Sequence, residues 1–189
     1  VVDGGFLLAF ATLDRGDGHA PRILVRLPLT ALAEGRADLE PFVETLAQDG
    51  CWRAGLDPDA ARLLMEDDAS EMSVHFDPGR GEWIAVYGDP AGDAIWLRRA
   101  PRPEGPWSAR IPLLRIPELA RAEDPEAGEP FCYAGKAHPE LAPSGELVVS
   151  YVCNLFTGPA DPIAAVLERL RTTTSIYRPK LVRVPIPAE

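Results

Sequence analysis

Three polar residues, Glu71, Ser73 and His75, alternate along one short segment, and Lys136, His138 and Glu140 alternate along another. In a β-strand, alternate residues share a face. Two such strands side by side would bring carboxylates, imidazoles and an ammonium group to one pocket. Glycoside hydrolysis uses groups of this kind. One carboxylic acid protonates the leaving oxygen, and a second acts as base or nucleophile at roughly 5 to 9.5 Å. Glu71 and Glu140 are therefore the candidate catalytic residues. Glu140 follows Pro139, where a turn position or an ion pair with Lys136 would use it equally well. His75, Tyr133, Lys136, His138, Asn154 and Tyr177 are the candidate substrate-binding groups. The two histidines occupy matching places, so a role in the architecture, bonding a backbone carbonyl, competes with contact to a ligand. Two histidines without a clear third ligand do not build a metal site, and no motif supports a calcium ion in a channel. No metal and no cofactor are expected. The sequence has no nucleotide-binding glycine string, serine nucleophile elbow or HExxH string.

The elements that must position these residues recur along the chain. Gly5–Phe10, Gly81–Tyr87 and Gly145–Tyr151 each run from a glycine through apolar residues to an aromatic one. Short runs of this composition are natural strands. Each is followed by a second apolar run carrying arginine and closed by proline: Arg22–Pro28, Ala94–Pro101 and Lys180–Pro185. Proline cannot donate to a central ladder, so it marks the end of each strand. A third element, Glu71–Pro78 and then Gly135–Leu141, precedes the pair in two of the three units. Hairpin chemistry joins them, in Asp77-Pro78-Gly79-Arg80-Gly81 and Ala142-Pro143-Ser144-Gly145. Trp107–Leu114 reads as the clearest outer strand.

Repeated units of several strands are the signature of propeller blades, and a β-sandwich is the rival architecture. The threefold recurrence favours the propeller. The expected fold class is all-β, a partial β-propeller of about three blades, with strands over about 3–32, 71–118 and 131–187 and an inter-blade segment over 33–70. Three blades cannot close a ring, so the chain is expected to be the C-terminal part of a larger propeller. Leu39–Ala47 and Ala60–Met65, within the inter-blade segment, read as short helical turns or crossing loops. Pro162–Thr172 has helical spacing, with Ile163, Val166, Leu167 and Leu170 on one face, and is expected to be a helical insertion. Trp83, Trp96 and Trp107 lie in strand patterns, where core packing outweighs sugar stacking as a role; Trp52 shares the stacking option.

Composition narrows the partners. The 189 residues are 46% hydrophobic, enough for a packed core. A formal net charge of −10 excludes a nucleic-acid surface, which needs clustered Lys and Arg. The longest apolar run, near Phe6–Leu13, is too short to span a bilayer. Cys51, Cys132 and Cys153 allow one disulfide plus a free thiol, or three reduced thiols. How often Cys is simply buried favours three buried, reduced cysteines.

Several strings carry a family resemblance: Asp57-Pro58-Asp59-Ala60-Ala61-Arg62-Leu63-Leu64, Glu71–Pro78, Leu97–Ser108 with its Pro103-Glu104-Gly105-Pro106-Trp107-Ser108, and Tyr133–Leu141. Val149–Asn154 and Tyr177–Val184 complete the set. Together they resemble the C-terminal blades of a bacterial, largely actinobacterial, family of uncharacterised five-bladed propellers. That family is similar to the furanosidase propellers: arabinanases, β-xylosidases and levansucrase relatives. Some related propellers are endo-D-arabinanases acting on mycobacterial cell-wall arabinan. The resemblance implies a glycoside hydrolase-like protein acting on a furanoside-containing polysaccharide, or a non-catalytic carbohydrate-binding or cell-envelope propeller. It implies a polysaccharide or oligosaccharide partner, an extracellular or cell-envelope location, and acidic residues drawn from several blades.

Overall fold

The computed structural model describes residues 1–14, 16, 19–36, 38–66, 69, 71–89, 92–120, 129–143, 145–156, 163–172 and 177–187. The fold is nearly all-β and partly propeller-like, built from three antiparallel sheets of five, four and three strands. The chain divides into two compact units. One is Val1–Asp68 with Gly81–Trp83 and Arg99–Ser108; the other is Ala69–Arg80, Ile84–Arg98 and Ala109–Glu189.

The first unit holds the five-stranded sheet. Its strands are β1 (Val2–Asp3), β2 (Phe6–Thr12), β3 (Arg22–Pro28), β4 (Glu44–Leu46) and β5 (Trp52–Ala54), in sequence order. β2 and β3 pair without a register break from Phe6↔Pro28 to Thr12↔Arg22. Leu8, Leu24 and Leu46 are buried in a small core backed by Phe6, Phe10, Trp52 and Leu64. Helix α1 (Leu29–Ala33) follows β3.

Segment 33–70, expected as an inter-blade crossing, instead contributes two strands to this sheet. The reason lies in Glu44-Thr45-Leu46: Leu46 enters the Leu8–Leu24 core, and the Thr45 hydroxyl donates to the Gly55 carbonyl at 2.7 Å. Of the stretches Leu39–Ala47 and Ala60–Met65, expected as helical turns or loops, Glu40–Phe42 is helical, as a single 3-10 turn. Ala61 and Met65 form single bridges to Ala47 and Arg22. Trp52 is covered by the Arg26 guanidinium, 4.2 Å above its ring, with Phe6 at 4.1 Å and Glu44 bonded at 2.6 Å. It is a structural residue and not a free stacking face.

The four-stranded sheet runs β6 (Met72–Asp77), β7 (Glu82–Gly88), β8 (Ala94–Ala100) and β9 (Ile111–Arg115). The outer strand therefore starts later than Trp107. Trp107 instead donates its indole N–H to the Pro103 carbonyl and meets Phe10 edge-on at 5.9 Å. Pro112 is tolerated because β9 is an edge strand. Helix α2 (Pro117–Ala120) leads on to the three-stranded sheet β10 (Glu129–His138), β11 (Glu146–Phe156) and β12 (Lys180–Pro185).

In the second unit, Ile84, Val86, Ile95 and Leu97 pack with Cys132, Ala137, Leu147, Val149, Tyr151 and Cys153 into one core. Burying each large aliphatic side chain stabilises it by about 1.5–3 kcal/mol. The buried Tyr151 hydroxyl donates to the Glu118 carboxylate at 2.9 Å. The insertion is helix α3 (Ile163–Thr172). Ile163 and Leu167 are exposed on it, while Pro162 and the side chains of Val166 and Leu170 lie outside the described residues.

The expectation of three buried reduced cysteines is overturned. Cys132 and Cys153 face each other in the β10–β11 register and form a disulfide, and Cys51 is an exposed free thiol. Cysteines 21 residues apart met because a long antiparallel hairpin brings equidistant positions together.

The three repeat glycines Gly5, Gly81 and Gly145 share one conformation, with φ of 84°, 70° and 86°. A Cβ there would meet nothing within 4 Å. The repeat keeps glycine for the left-handed turn that enters each strand and not for space.

Candidate functional site

The site residues gather where the first strand of the second sheet, β6, runs beside the first strand of the third, β10, within the second unit. Alternation on β6 operates as the sequence implies. The Glu71 carboxylate accepts the Ala134 N–H at 3.4 Å, and the Ser73 hydroxyl accepts the Ala137 N–H at 2.8 Å. Ser73 also donates to the Val86 carbonyl at 3.4 Å, so it ties β6 to both neighbours.

β10 carries a β-bulge that decides which residues share a face. Tyr133 pairs with Val152 and Lys136 with Ser150, so Ala134 and Gly135 together oppose Tyr151 alone. Two residues against one is the definition of a bulge. Strict alternation would put Tyr133 and Lys136 on opposite faces. The extra residue restores them to one face, together with Phe131 and His138 on β10 and Ser150 and Asn154 on β11. The other face carries Cys132, Ala137, Tyr151 and Cys153 into the core. Ala134 adopts φ 57°, uncommon for a residue with a Cβ. A Cβ on Gly135 would lie 2.7 Å from the Gly88 backbone nitrogen. Glycine is needed here because backbone approaches backbone.

Along this seam the candidates form two groups. At one end are Glu71, Tyr133 and Tyr177. Burial raises the Tyr133 phenol pKa, and a hydrogen bond with Tyr177 and the Glu71 charge push the same way. Phe131 stacks on Tyr133 with ring centres 5.6 Å apart and planes 19° from parallel. Tyr177 is 48% exposed, so this end presents aromatic surface to solvent. Asn154, opposite Phe131, accepts the N–H of Leu155 through its side-chain carbonyl at 2.8 Å.

At the other end are His75, Lys136, His138 and Glu140. The His138 ring bonds the Ser150 hydroxyl at 2.8 Å through Nε2 and meets the Glu140 carboxylate at 3.4 Å through Nδ1. Glu140 is exposed, and its own backbone N–H, then His138 and Lys136, hold its carboxyl below the usual range. His75 is half-buried; burial pushes its imidazole pKa down, opposed by the Asp77 and Glu140 charges. Glu71, immediately before β6, and His75 within it lie four positions apart, about 13 Å along extended backbone. Glu71 and Glu140 thus belong to different ends. Among the described residues no group of three His, Cys, Asp or Glu side chains is arranged to hold a metal ion.

Two partners were not singled out from sequence. Phe131 was readable as the i−2 neighbour of Tyr133, but only the bulged register shows its stack. Ser150 had no local signal, because it meets His138 across the sheet.

With this geometry in place, comparison identifies the family. A family described as a domain of unknown function, DUF4185, matches residues 1–154. The chain belongs to the DUF4185 family. The matched region contains Glu71, His75, Tyr133, Lys136, His138, Glu140 and Asn154, and Tyr177 lies beyond it. A search of curated proteins finds no match. Among solved structures, the DUF4185 chain is similar to a protein described as a "putative hydrolase from Bacteroides ovatus ATCC 8483", with TM-score 0.57 and 19% identity. The match covers 94% of this chain and 45% of that one, so the chain spans less than half the length of that protein. The likeness shows a shared fold. No helix among the described residues is long and apolar enough to cross a membrane.

Proposed function

We propose that the chain is part of a glycoside hydrolase acting on a furanoside-containing polysaccharide, with Glu71 as the acid and the Phe131–Tyr133–Tyr177 cluster as the sugar contact. The observation that carries this reading is the bulge at Ala134–Gly135, which gathers Tyr133, Lys136, His138 and Asn154 on one face beside Glu71. Aromatic rings pack against the C–H face of a sugar, while amide, ammonium and imidazole groups bond its hydroxyls. Glu71 protonates the leaving oxygen. A catalytic pair needs its carboxyl groups about 5 to 9.5 Å apart, and in this reading Glu140, which meets His138 and not Tyr133, is not the second member. Glu140 and His138 then contact a distal part of the polymer, and the second carboxylate comes from outside residues 1–189. The family membership and the hydrolase name of the structural neighbour support this reading at the level of hydrolysis. The Cys132–Cys153 disulfide supports an extracellular or cell-envelope location, since such bonds persist in oxidising compartments. The five-bladed ring and the absence of a cofactor remain parts of the same proposal.

The test is hydrolysis by the full-length protein on arabinan and fructan panels, with Glu71→Gln as the variant. Glutamine keeps an acceptor for the Ala134 N–H and removes the acid, so turnover falls by about 10²-fold or more while the fold is kept. Product release from none of the polymers, or full activity in Glu71→Gln, overturns the reading. A second reading, a non-catalytic carbohydrate-binding propeller, draws on the Glu71–Ala134 bond, because a carboxylate that satisfies a bulge has a structural use. It predicts polymer binding without hydrolysis, unchanged in Glu71→Gln.

A further inference from the structure

His138, Ser150 and Glu140 form an arrangement that glycoside cleavage at Glu71 does not require. The His138 ring bonds the Ser150 hydroxyl at 2.8 Å through Nε2 and meets the Glu140 carboxylate at 3.4 Å through Nδ1. Serine, imidazole and carboxylate linked in this order are the parts of an activated serine nucleophile, which is recognised by geometry rather than by order along the chain. A carboxylate beside Nδ1 favours the tautomer that carries its proton there. Nε2 then offers the lone pair that accepts the serine proton. The 3.4 Å contact is loose, as catalytic contacts often are before substrate tightens them.

The three groups are open to reactants. The His138 side chain is 22% exposed and that of Glu140 66%, and Ser150 is half-buried. An ion pair this exposed adds little to stability, so packing alone gives Glu140 little use. Strand register supplies two further parts. Ser150 pairs with Lys136 on β10 and with Leu181 on β12, so the three side chains form one row on one face. Such cross-strand neighbours have Cβ atoms about 4.5–5.5 Å apart. Lys136 is exposed, and its long flexible stem lets the ammonium reach an oxyanion formed at Ser150. Leu181 is 64% exposed and gives the other side of Ser150 an apolar surface. A single leucine side chain covers a methyl or ethyl group and not a long acyl chain.

We propose that Ser150, His138 and Glu140 form an esterase site for short acyl esters of alcohols, acetate esters first among them. Ser150 and His138 are the catalytic residues, Glu140 positions the imidazole, Lys136 stabilises the oxyanion and Leu181 meets the acyl methyl. The Ser150 oxygen adds to the ester carbonyl carbon as its proton passes to His138 Nε2. The carbon–oxygen bond to the alcohol breaks, and the same proton goes to the departing oxygen, leaving an acyl-serine. Water then attacks the acyl carbon and gives a proton to Nε2. The bond to Ser150 breaks, the serine oxygen takes that proton, and the carboxylic acid is released.

The experiment follows hydrolysis of para-nitrophenyl acetate and para-nitrophenyl octanoate by the full-length protein, together with fluorophosphonate labelling mapped by peptide mass spectrometry. Neither ester holds a glycosidic bond, so the outcome is independent of cleavage at Glu71. The acetate is expected to react about tenfold faster than the octanoate. Ser150→Ala and His138→Ala should each lower kcat by about 10²-fold or more. Glu140→Gln should lower kcat by about tenfold with KM unchanged, a split that loss of packing would not give. The label is expected on Ser150 in the folded protein and not after unfolding in urea. The proposal is overturned if the acetate is not hydrolysed, if the octanoate is the better substrate, if Ser150→Ala keeps full activity, or if the label misses Ser150. Labelling of the unaltered protein decides the matter even if Ser150→Ala does not fold.

Discussion

The first sheet and the third are built from the same strand grammar and use it differently. In the first, β2 and β3 pair over seven residues with no register break, and its half-buried ion pair of Arg26 with Glu44, packed against Phe6 and Trp52, is closed on itself. In the third, β10 and β11 are longer, bulged and cross-linked, and they leave tyrosine, lysine, histidine and asparagine on one face. The regular repeat makes a scaffold, and the departure from it gathers the candidate polar residues on one face. One extra residue in one strand changes which side chains are neighbours, at the expense of an alanine in a left-handed conformation.

The contrast can be broken at four places. The largest effect is expected from the disulfide. Replacing Cys132 and Cys153 together with alanine should destabilise the protein by about 3 kcal/mol in urea unfolding. Cys51→Ser, at an exposed position in the first unit, should stay within about 0.5 kcal/mol. Equal effects would mean that the third sheet has no special dependence on its cross-link.

Next comes glycine. Gly135→Ala drives a Cβ to 2.7 Å from the Gly88 nitrogen and should cost about 2 kcal/mol. Gly5→Ala meets no atom and bears only the left-handed penalty of about 1 kcal/mol. Thermal unfolding of the two variants side by side tells space from conformation. Ala134→Gly should do the reverse and stabilise the bulge by up to about 1 kcal/mol, since glycine adopts φ 57° without strain.

The smallest effect is a pH dependence. Burial lowers the His75 pKa from its ordinary 6.5, so the neutral ring is favoured in the folded state. Below pH 6.5 the unfolded chain takes up a proton more readily than the folded one. The His75 contribution is therefore complete above pH 6.5 and is lost as the pH falls through the folded value. His75→Gln should flatten the stability profile on the acid side of that point. A profile identical to that of the unaltered protein would place the ring in water.

The sequence alone determined much of the scaffold. β3 and β12 run over Arg22–Pro28 and Lys180–Pro185 as read from their closing prolines, and the helix over 163–172 follows its apolar spacing. Gly5, Gly81 and Gly145 marked their turns because a positive φ is a local demand that one residue type meets. Alternation on β6 also held, since Glu71 and Ser73 both reach β10. What the sequence could not show depends on register between distant residues. Glu44–Leu46 became a strand because the edge of β3 and the Leu8–Leu24 core were there to receive it. Cys132 met Cys153, and Tyr133 joined Lys136 on one face, because of how β10 and β11 pair. Glu71 and Glu140 look alike in a list of acidic residues, yet their partners differ: Glu71 accepts the Ala134 N–H and Glu140 meets the His138 ring. Local conformation is set by neighbouring residues along the chain, whereas the neighbours of a side chain across a sheet are set by the pairing of distant strands.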